Sequence, residues 1–325
     1  MPRSNSTQWF RRIALIGALL SFLVVVLGAW VRLTDAGLGC PDWPGCYGHV
    51  YPQADQGFAK AWHEMVHRYF AGGLVTIIAV LTGFSIVNRR QPEQPLLPVI
   101  ALFAIVCLQA TLGALTVTLL LKPLIVTAHL VGGLSTLALL WWLALTPESR
   151  PKLAREQGLR IFALIGLAVL VLQILLGGWT STNYAAVACP DFPTCQRSWW
   201  PETDYRNAFV LWRGLAIDYE GGILGGPARV AIHWTHRLGA VVAGTVLLVL
   251  GITAAVRGAS PRVRWAGALL FAAVILQLSL GIATVHWGVP LSVATGHNAG
   301  AALLVVAMIT LLRALRPAPI PGMVV

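Results

Sequence analysis

Gly28-Ala29-Trp30 followed by Cys40-Pro41-Asp42-Trp43-Pro44-Gly45-Cys46, and later Gly177-Gly178-Trp179 followed by Cys189-Pro190-Asp191-Phe192-Pro193-Thr194-Cys195, are one pattern written twice. The tryptophans and all four cysteines match without a gap at an offset of 149 residues. Further on, His67-Arg68 with Gly72 and Gly73 answers to His236-Arg237 with Gly239 and Gly244. Gln109, Leu112-Gly113 and His129 answer to Gln277, Leu280-Gly281 and His297. There the offset has grown to 168 or 169, which places an insertion of about twenty residues after Cys195. A repeat of this length means that one structural unit occurs twice, and it has to be found before any single motif is read.

What separates these landmarks is apolar. Hydrophobic residues make up 57% of the 325-residue chain and charged residues 11%, and the mean hydropathy is +0.74, outside the range of water-soluble globular chains. A bilayer core of about 30 Å needs roughly 20 apolar residues per helix. Such runs lie near 11–31, 62–87, 97–120, 124–145, 160–181, 229–254, 264–284 and 292–312. The fold expected is therefore an all-α integral membrane protein, eight transmembrane helices forming two pseudo-symmetric four-helix bundles. Residues 1–146 form the first unit, the Pro- and charge-rich stretch 147–159 a cytoplasmic linker, and 160–325 the second unit. Four spans per copy, an even number, make the copies parallel, related by an axis along the membrane normal.

The first span follows Arg11 and Arg12 but is long and has no small-residue cleavage site, so it reads as a retained helix. With both termini in the cytoplasm, the inside segments carry 14 of the 23 basic residues. The positive-inside bias favours that orientation in the cell's inner, or plasma, membrane. Topogenic charge and attraction to anionic lipid account for the net charge of +11, so nucleic acid is not needed as a partner.

Ionisable residues within membrane spans are costly and mark function by default. His67 and His129 lie near the outer ends of the second and fourth spans and so share a depth, as do His236 and His297 in the second copy. Two imidazoles from different helices, with no third ligand nearby, suit the two axial positions of a haem iron better than tetrahedral zinc. Gly72, Gly73, Gly132, Gly133, Gly239, Gly244, Gly296 and Gly300 fit either a flat macrocycle near the backbone or glycine-rich helix packing in lipid. Arg68 and Arg237 fit either haem propionates or lipid headgroups. His63-Glu64-Met65-Val66-His67 also matches the zinc-peptidase pattern H-E-x-x-H. The repeat argues against zinc, because His233 stands opposite Glu64 and Ile232 opposite His63.

Cys40 with Cys46 and Cys189 with Cys195 read as loop disulfides in one oxidising compartment; a redox role for the first pair stays open. Cys107 reads as a small core residue. The inserted stretch 205–224 reads as an interfacial segment covering the second haem.

Glu64-x-x-His67, His129, His236, His297 and a Cys-x5-Cys pair in each large outer loop, in this order on eight spans, resemble the haem A synthase family over nearly the whole chain. The resemblance implies oxidation of the C8 methyl of haem O to a formyl group, giving haem A, by successive hydroxylations and loss of water. It also implies a haem b cofactor on His236 and His297 and substrate on His67 and His129. The protohaem farnesyltransferase that makes haem O, an electron acceptor or donor in the membrane or in solution, and a second copy of the chain are the partners it leaves open, besides the lipid bilayer. Independently, only the first copy has a carboxylate one turn from its histidine, which marks Glu64 as the candidate catalytic residue. A glutamate complementing its helix dipole is the plainer account. Three other classes compete: a two-haem cytochrome b that only passes electrons, a membrane zinc metallopeptidase, and a haem carrier or oxidase assembly factor.

Overall fold

The computed structural model of the chain describes residues 5–53, 57–91, 94–146 and 154–316. Most of the 147–159 linker lies outside these. Among them are nine helices: α1 (Asn5–Leu33), α2 (Phe58–Val87), α3 (Leu96–Thr118), α4 (Pro123–Ala144), α5 (Ala154–Thr182), a four-residue α6 (Tyr205–Ala208), α7 (Gly226–Arg257), α8 (Pro261–His286) and α9 (Leu291–Ala314). All except α6 are long and apolar enough to cross a membrane. A backbone that crosses lipid must satisfy its own polar groups, and an α-helix does so within one segment. The eight expected spans are thus present; α5 starts earlier than expected, at Ala154, ahead of residue 160.

Helix starts are set by local chemistry. Pro123 opens α4 and Pro261 opens α8, where a missing N–H costs nothing. Ser260 caps α8 by accepting from the Val263 N–H. The tight α3–α4 turn puts Leu120 and Leu121 at φ of 50° and 58°, and the α8–α9 turn puts Gly288 and Val289 at 69° and 62°. The second residue of each pair reaches five residues back, Leu121 N–H to Thr116 O and Val289 N–H to Thr284 O. One turn design therefore recurs at matched positions.

Helix packing repeats in the same way. The contacts α1–α2, α2–α3, α3–α4 and α1–α4 have the counterparts α5–α7, α7–α8, α8–α9 and α5–α9. Across the seam, α4–α5 answers to α1–α9, while α4 meets α9, its own counterpart. Away from the disulfide loops the seam is apolar and close-packed, with Ala18, Leu137, Leu140, Leu250, Met308 and Leu311 buried in one cluster. It also carries a Trp141 Nε1–H bond to Thr310 Oγ1 of 2.8 Å. At the loop end Arg32 donates to Ser181 O (2.6 Å) and lies 4.0 Å over the Tyr184 ring, whose hydroxyl meets Asp35 at 3.1 Å. Burial beside Asp35 raises the Tyr184 hydroxyl above its ordinary range, against the pull of Arg32. The perimeter is apolar, with Leu97 78% and Val241 67% exposed, a surface suited to acyl chains.

Candidate haem-binding pairs and their loop locks

His67 stands on α2, His129 on α4, His236 on α7 and His297 on α9, each six to ten residues from the loop end of its helix. At 1.5 Å per residue that is roughly 9–15 Å of helix, so the four share a layer near one membrane face. His67 and His129 lie within electrostatic range of each other, as do His236 and His297.

Each ring is seated against a glycine of the neighbouring helix. A Cβ added at Gly28 would stand 3.1 Å from His67 Cε1, at Gly113 3.4 Å from His129, at Gly177 3.1 Å from His236, and at Gly281 3.0 Å from His297. Nδ1 of His67, His129 and His297 is sealed from solvent and reaches no protein hydrogen-bond partner. The backbone of Val24, Gln109 and Gln277, one turn before each seating glycine, lies beside the three rings. Nδ1 of His236 instead lies 3.1 Å from the Gln173 amide, which also donates to the His236 carbonyl. Nε2 of His297 lies 3.5 Å from the Gln277 side-chain amide. Such outer contacts fix the tautomer and orientation of a ligating imidazole.

The glycines singled out in the sequence serve another purpose. A Cβ at Gly132 or Gly300 would collide with the side-chain amide of Gln109 or Gln277, and one at Gly239 with that of Gln173. They make room for buried glutamines next to the histidines, whereas Gly72 has nothing within 4 Å. Sequence reasoning did not single out Gln173; a lone amide inside the otherwise apolar α5 run was the available signal.

Glu64 is buried one turn from His67. Its Oε2 accepts from the Cys40 N–H at 2.9 Å and its Oε1 from Arg68. Arg68 also donates to the carbonyls of Asp42 (2.9 Å), Pro44 (3.3 Å) and Gly45 (2.5 Å). In the second copy His233 takes the place of Glu64: the Cys189 N–H points to its Nδ1 at 3.4 Å, and Arg237 Nε lies 3.2 Å from its Nε2. Arg237 donates to the carbonyls of Asp191, Thr194 and Cys189. Both guanidinium groups are thus engaged with loop backbone.

The loops they hold are built alike. Cys40–Cys46 and Cys189–Cys195 are disulfide-bonded. Asp42 accepts from the Tyr47 and Gly48 N–H groups at 2.6 and 2.8 Å, and Asp191 from those of Gln196 and Arg197 at 2.6 and 3.0 Å. Each donating pair of residues has positive φ, forming a small anion-binding nest. The Gly48 N–H foremost holds the Asp42 carboxyl below its ordinary range, and the Thr194 hydroxyl foremost does so for Asp191.

His63 turns to Thr34 Oγ1 (3.4 Å) and lies edge-on to Trp30. Among the described residues no three His, Cys, Asp or Glu side chains are grouped to hold a metal ion, so the H-E-x-x-H stretch has no zinc geometry. Cys107 is exposed on α3 instead of lying in the core, since it falls on the perimeter face.

The inserted stretch also departs from its expected place. Residues 204–209 stay on the second copy, where Trp179 Nε1–H bonds to Ala208 O at 2.9 Å. Beyond them the chain crosses to the first copy. Buried Lys122 lies 3.4 Å over the Trp212 ring and donates to Gly214 O. Tyr219 N–H bonds to Leu120 O at 3.1 Å, and Glu220 faces Lys60 at 3.7 Å. Lysines and a strained turn in the first copy provide the acceptors and charges that draw this strap across the seam.

The family model of a cytochrome oxidase assembly protein matches residues 11–309. The chain is 39% identical to a haem A synthase of Shewanella oneidensis, over 93% of this chain and 94% of that one. It is 30% identical to a haem A synthase of Rhizorhabdus wittichii (95% and 93% covered) and 27% identical to one of Caulobacter vibrioides (89% and 91%). A match of this extent carries the histidines, the paired loops and all eight spans together, and the chain belongs to the haem A synthase family of cytochrome oxidase assembly proteins.

Proposed function

We propose that the protein oxidises the C8 methyl of haem O to the formyl group of haem A, with substrate between His67 and His129 and a resident haem b between His236 and His297. The observation that carries this is the twofold seat: four histidines at one depth, each with Cε1 on a glycine of the neighbouring helix, in two pairs at matched positions of the two copies. That donor set fits iron gripped from both sides, and in the second copy the side-chain amides of Gln173 and Gln277 lie against the rings of His236 and His297.

When bound, haem b supplies one-electron redox chemistry. Conversion of a methyl to a formyl group through two hydroxylations and loss of water removes four electrons and four protons from the substrate and water taken together, and an external electron acceptor in the membrane or in solution takes up the electrons. Glu64 is the carboxylate nearest that work, one turn from His67 and clamped by Arg68 and the Cys40 amide. It relays protons toward the disulfide loop and offsets positive charge that develops on the substrate. The second copy holds His233 at that position, with no carboxylate, and so retains its haem without oxidising it. In this reading residues 1–146 are the catalytic unit and 160–325 the cofactor unit. The disulfide loops face the outside of a bacterial plasma membrane, both termini face the cytoplasm, and haem O arrives from a farnesyltransferase through the lipid.

The test is expression in a host that makes only haems B and O, followed by chromatography of the extracted pigments. Wild type is expected to yield haem A, and Glu64→Gln to bind haem without converting it. Absence of haem A from wild type would overturn the function, and normal haem A from the Gln variant would overturn the role of Glu64.

A further inference from the structure

Haem carries two propionates, and the arginines that follow the ligand histidines are occupied by loop carbonyls. Another cation has to meet those carboxylates. Arg229 lies seven residues before His236 on α7, two turns nearer the loop end and on the same face. Seven residues rise about 10.5 Å, a span comparable with the reach from haem iron to a propionate oxygen. The Arg229 side chain makes no hydrogen bond or ion pair with any described residue, and its Nε is sealed from solvent without a partner. A buried donor left without an acceptor is costly and points to an acceptor supplied from elsewhere.

The first copy repeats the placement. Lys60 lies seven residues before His67 on α2, so the matched offset of 169 holds for the cation as well as the ligand. Lys60 has a competitor, however: Glu220 of the strap faces it at 3.7 Å, both side chains being partly exposed.

We infer that Arg229 and Lys60 receive the haem propionates of the second and first copies, and that Glu220 competes with the propionate only in the first. The inference rests on the two-haem reading above and deepens it. Arginine offers a fixed fork to a carboxylate, and lysine a single mobile charge. The copy that keeps its haem thus has the firm, uncontested anchor. The copy that must release a product has the weaker one, with a carboxylate ready to take its place.

The full-length protein, purified with its haems, is mixed with excess apomyoglobin. Haem transfer is followed at the Soret band, and the pigment left behind is identified by chromatography. A charge-assisted hydrogen bond lost from one site predicts haem b release about ten- to a hundredfold faster in Arg229→Gln, with the first-copy haem unaffected and Arg229→Lys within a few-fold of wild type. Glu220→Gln should slow release of the first-copy haem, and Lys60→Gln should speed it. Release of haem b from Arg229→Gln at the wild-type rate overturns the inference. So does equal leakage from the Lys and Gln variants, or parallel loss of both haems. A wild type that holds no haem b takes down the two-haem reading itself.

Discussion

Transplanting the second copy's residue into the first, Glu64→His, separates what Glu64 holds from what it does. In the first copy the carboxylate accepts from the Cys40 amide and Arg68; in the second the ring of His233 stands between the Cys189 amide and Arg237, and an uncharged imidazole accepts from only one of them. Glu64→Ala removes the acceptor and breaks a pair whose side chains are only 6% and 12% exposed. Removing one partner of a buried pair costs about 3–5 kcal/mol. Arg68 keeps the Asp42, Pro44 and Gly45 carbonyls, which places the Ala variant near the low end, about 3 kcal/mol. Glu64→His keeps an acceptor at that position and exchanges charge-assisted bonds for neutral ones, a loss of about 1 kcal/mol. Thermal unfolding in detergent and the haem content of the purified protein should therefore rank wild type, His and Ala in that order, His close to wild type. Haem A extracted from the expressing cells should be absent for both variants. Wild-type haem A from Glu64→His would refute the catalytic reasoning and leave Glu64 a loop lock. A His variant as unstable as Ala would refute its equivalence to His233.

Gly281→Val sets a side chain where a Cβ alone would approach His297 Cε1 to 3.0 Å, so the ring is displaced; visible spectra should show loss of the second-copy haem with the first retained. Gln173→Val gives His236 the surroundings that His67 has beside Val24; loss of the amide should alter the midpoint potential of haem b in a redox titration with little change in haem content. Asp42 and Asp191 have carboxyls depressed by their loop donors, so their contribution is present above the unfolded value near 3.8 and lost as pH falls through the lower folded value. Protease cutting of the loops should rise only in strong acid for wild type, and already at neutral pH for the Asp42→Asn, Asp191→Asn double variant.

The spans, the repeat and the four histidines were legible because each is a one-dimensional signal. Twenty apolar residues make a span wherever they occur, and a histidine within one stands out against leucine and valine. The disulfides followed from Cys-x5-Cys in matched loops. What the residues around the site do was not legible. Arg68 looks equally suited to a haem propionate or to lipid headgroups until the loop is folded back over α2, where the carbonyls of Asp42, Pro44 and Gly45, which the sequence did not suggest, engage it. Gly132 and Gly300 read as room for a macrocycle, but they are opposite Gln109 and Gln277 on other helices, and sequence spacing within a helix says nothing about which residue faces it. The path of the strap was hidden for the same reason. Lys122, Leu120 and Lys60 are far from residues 212–220 along the chain, and no local pattern joins them.

Duplication gives a chain two equal sites, and a synthase that also keeps a cofactor needs them unequal. In the proposed division of labour the differences that matter at the site are Glu64 against His233, Val24 against Gln173, Lys60 against Arg229, and one strap with no counterpart. Each difference pushes the same way. Ligand histidines, seating glycines and loop locks are shared, so both copies can grip iron. The second copy adds an amide on its histidine and an arginine without a competitor, which favour retention. The first adds a carboxylate beside its histidine and a contested lysine, which favour chemistry and release. The strap belongs to the second copy but reaches Lys60, Leu120 and Lys122 of the first, so in the proposed division of labour the substrate half borrows contacts from the cofactor half. Neither copy alone carries all the parts that this division of labour requires.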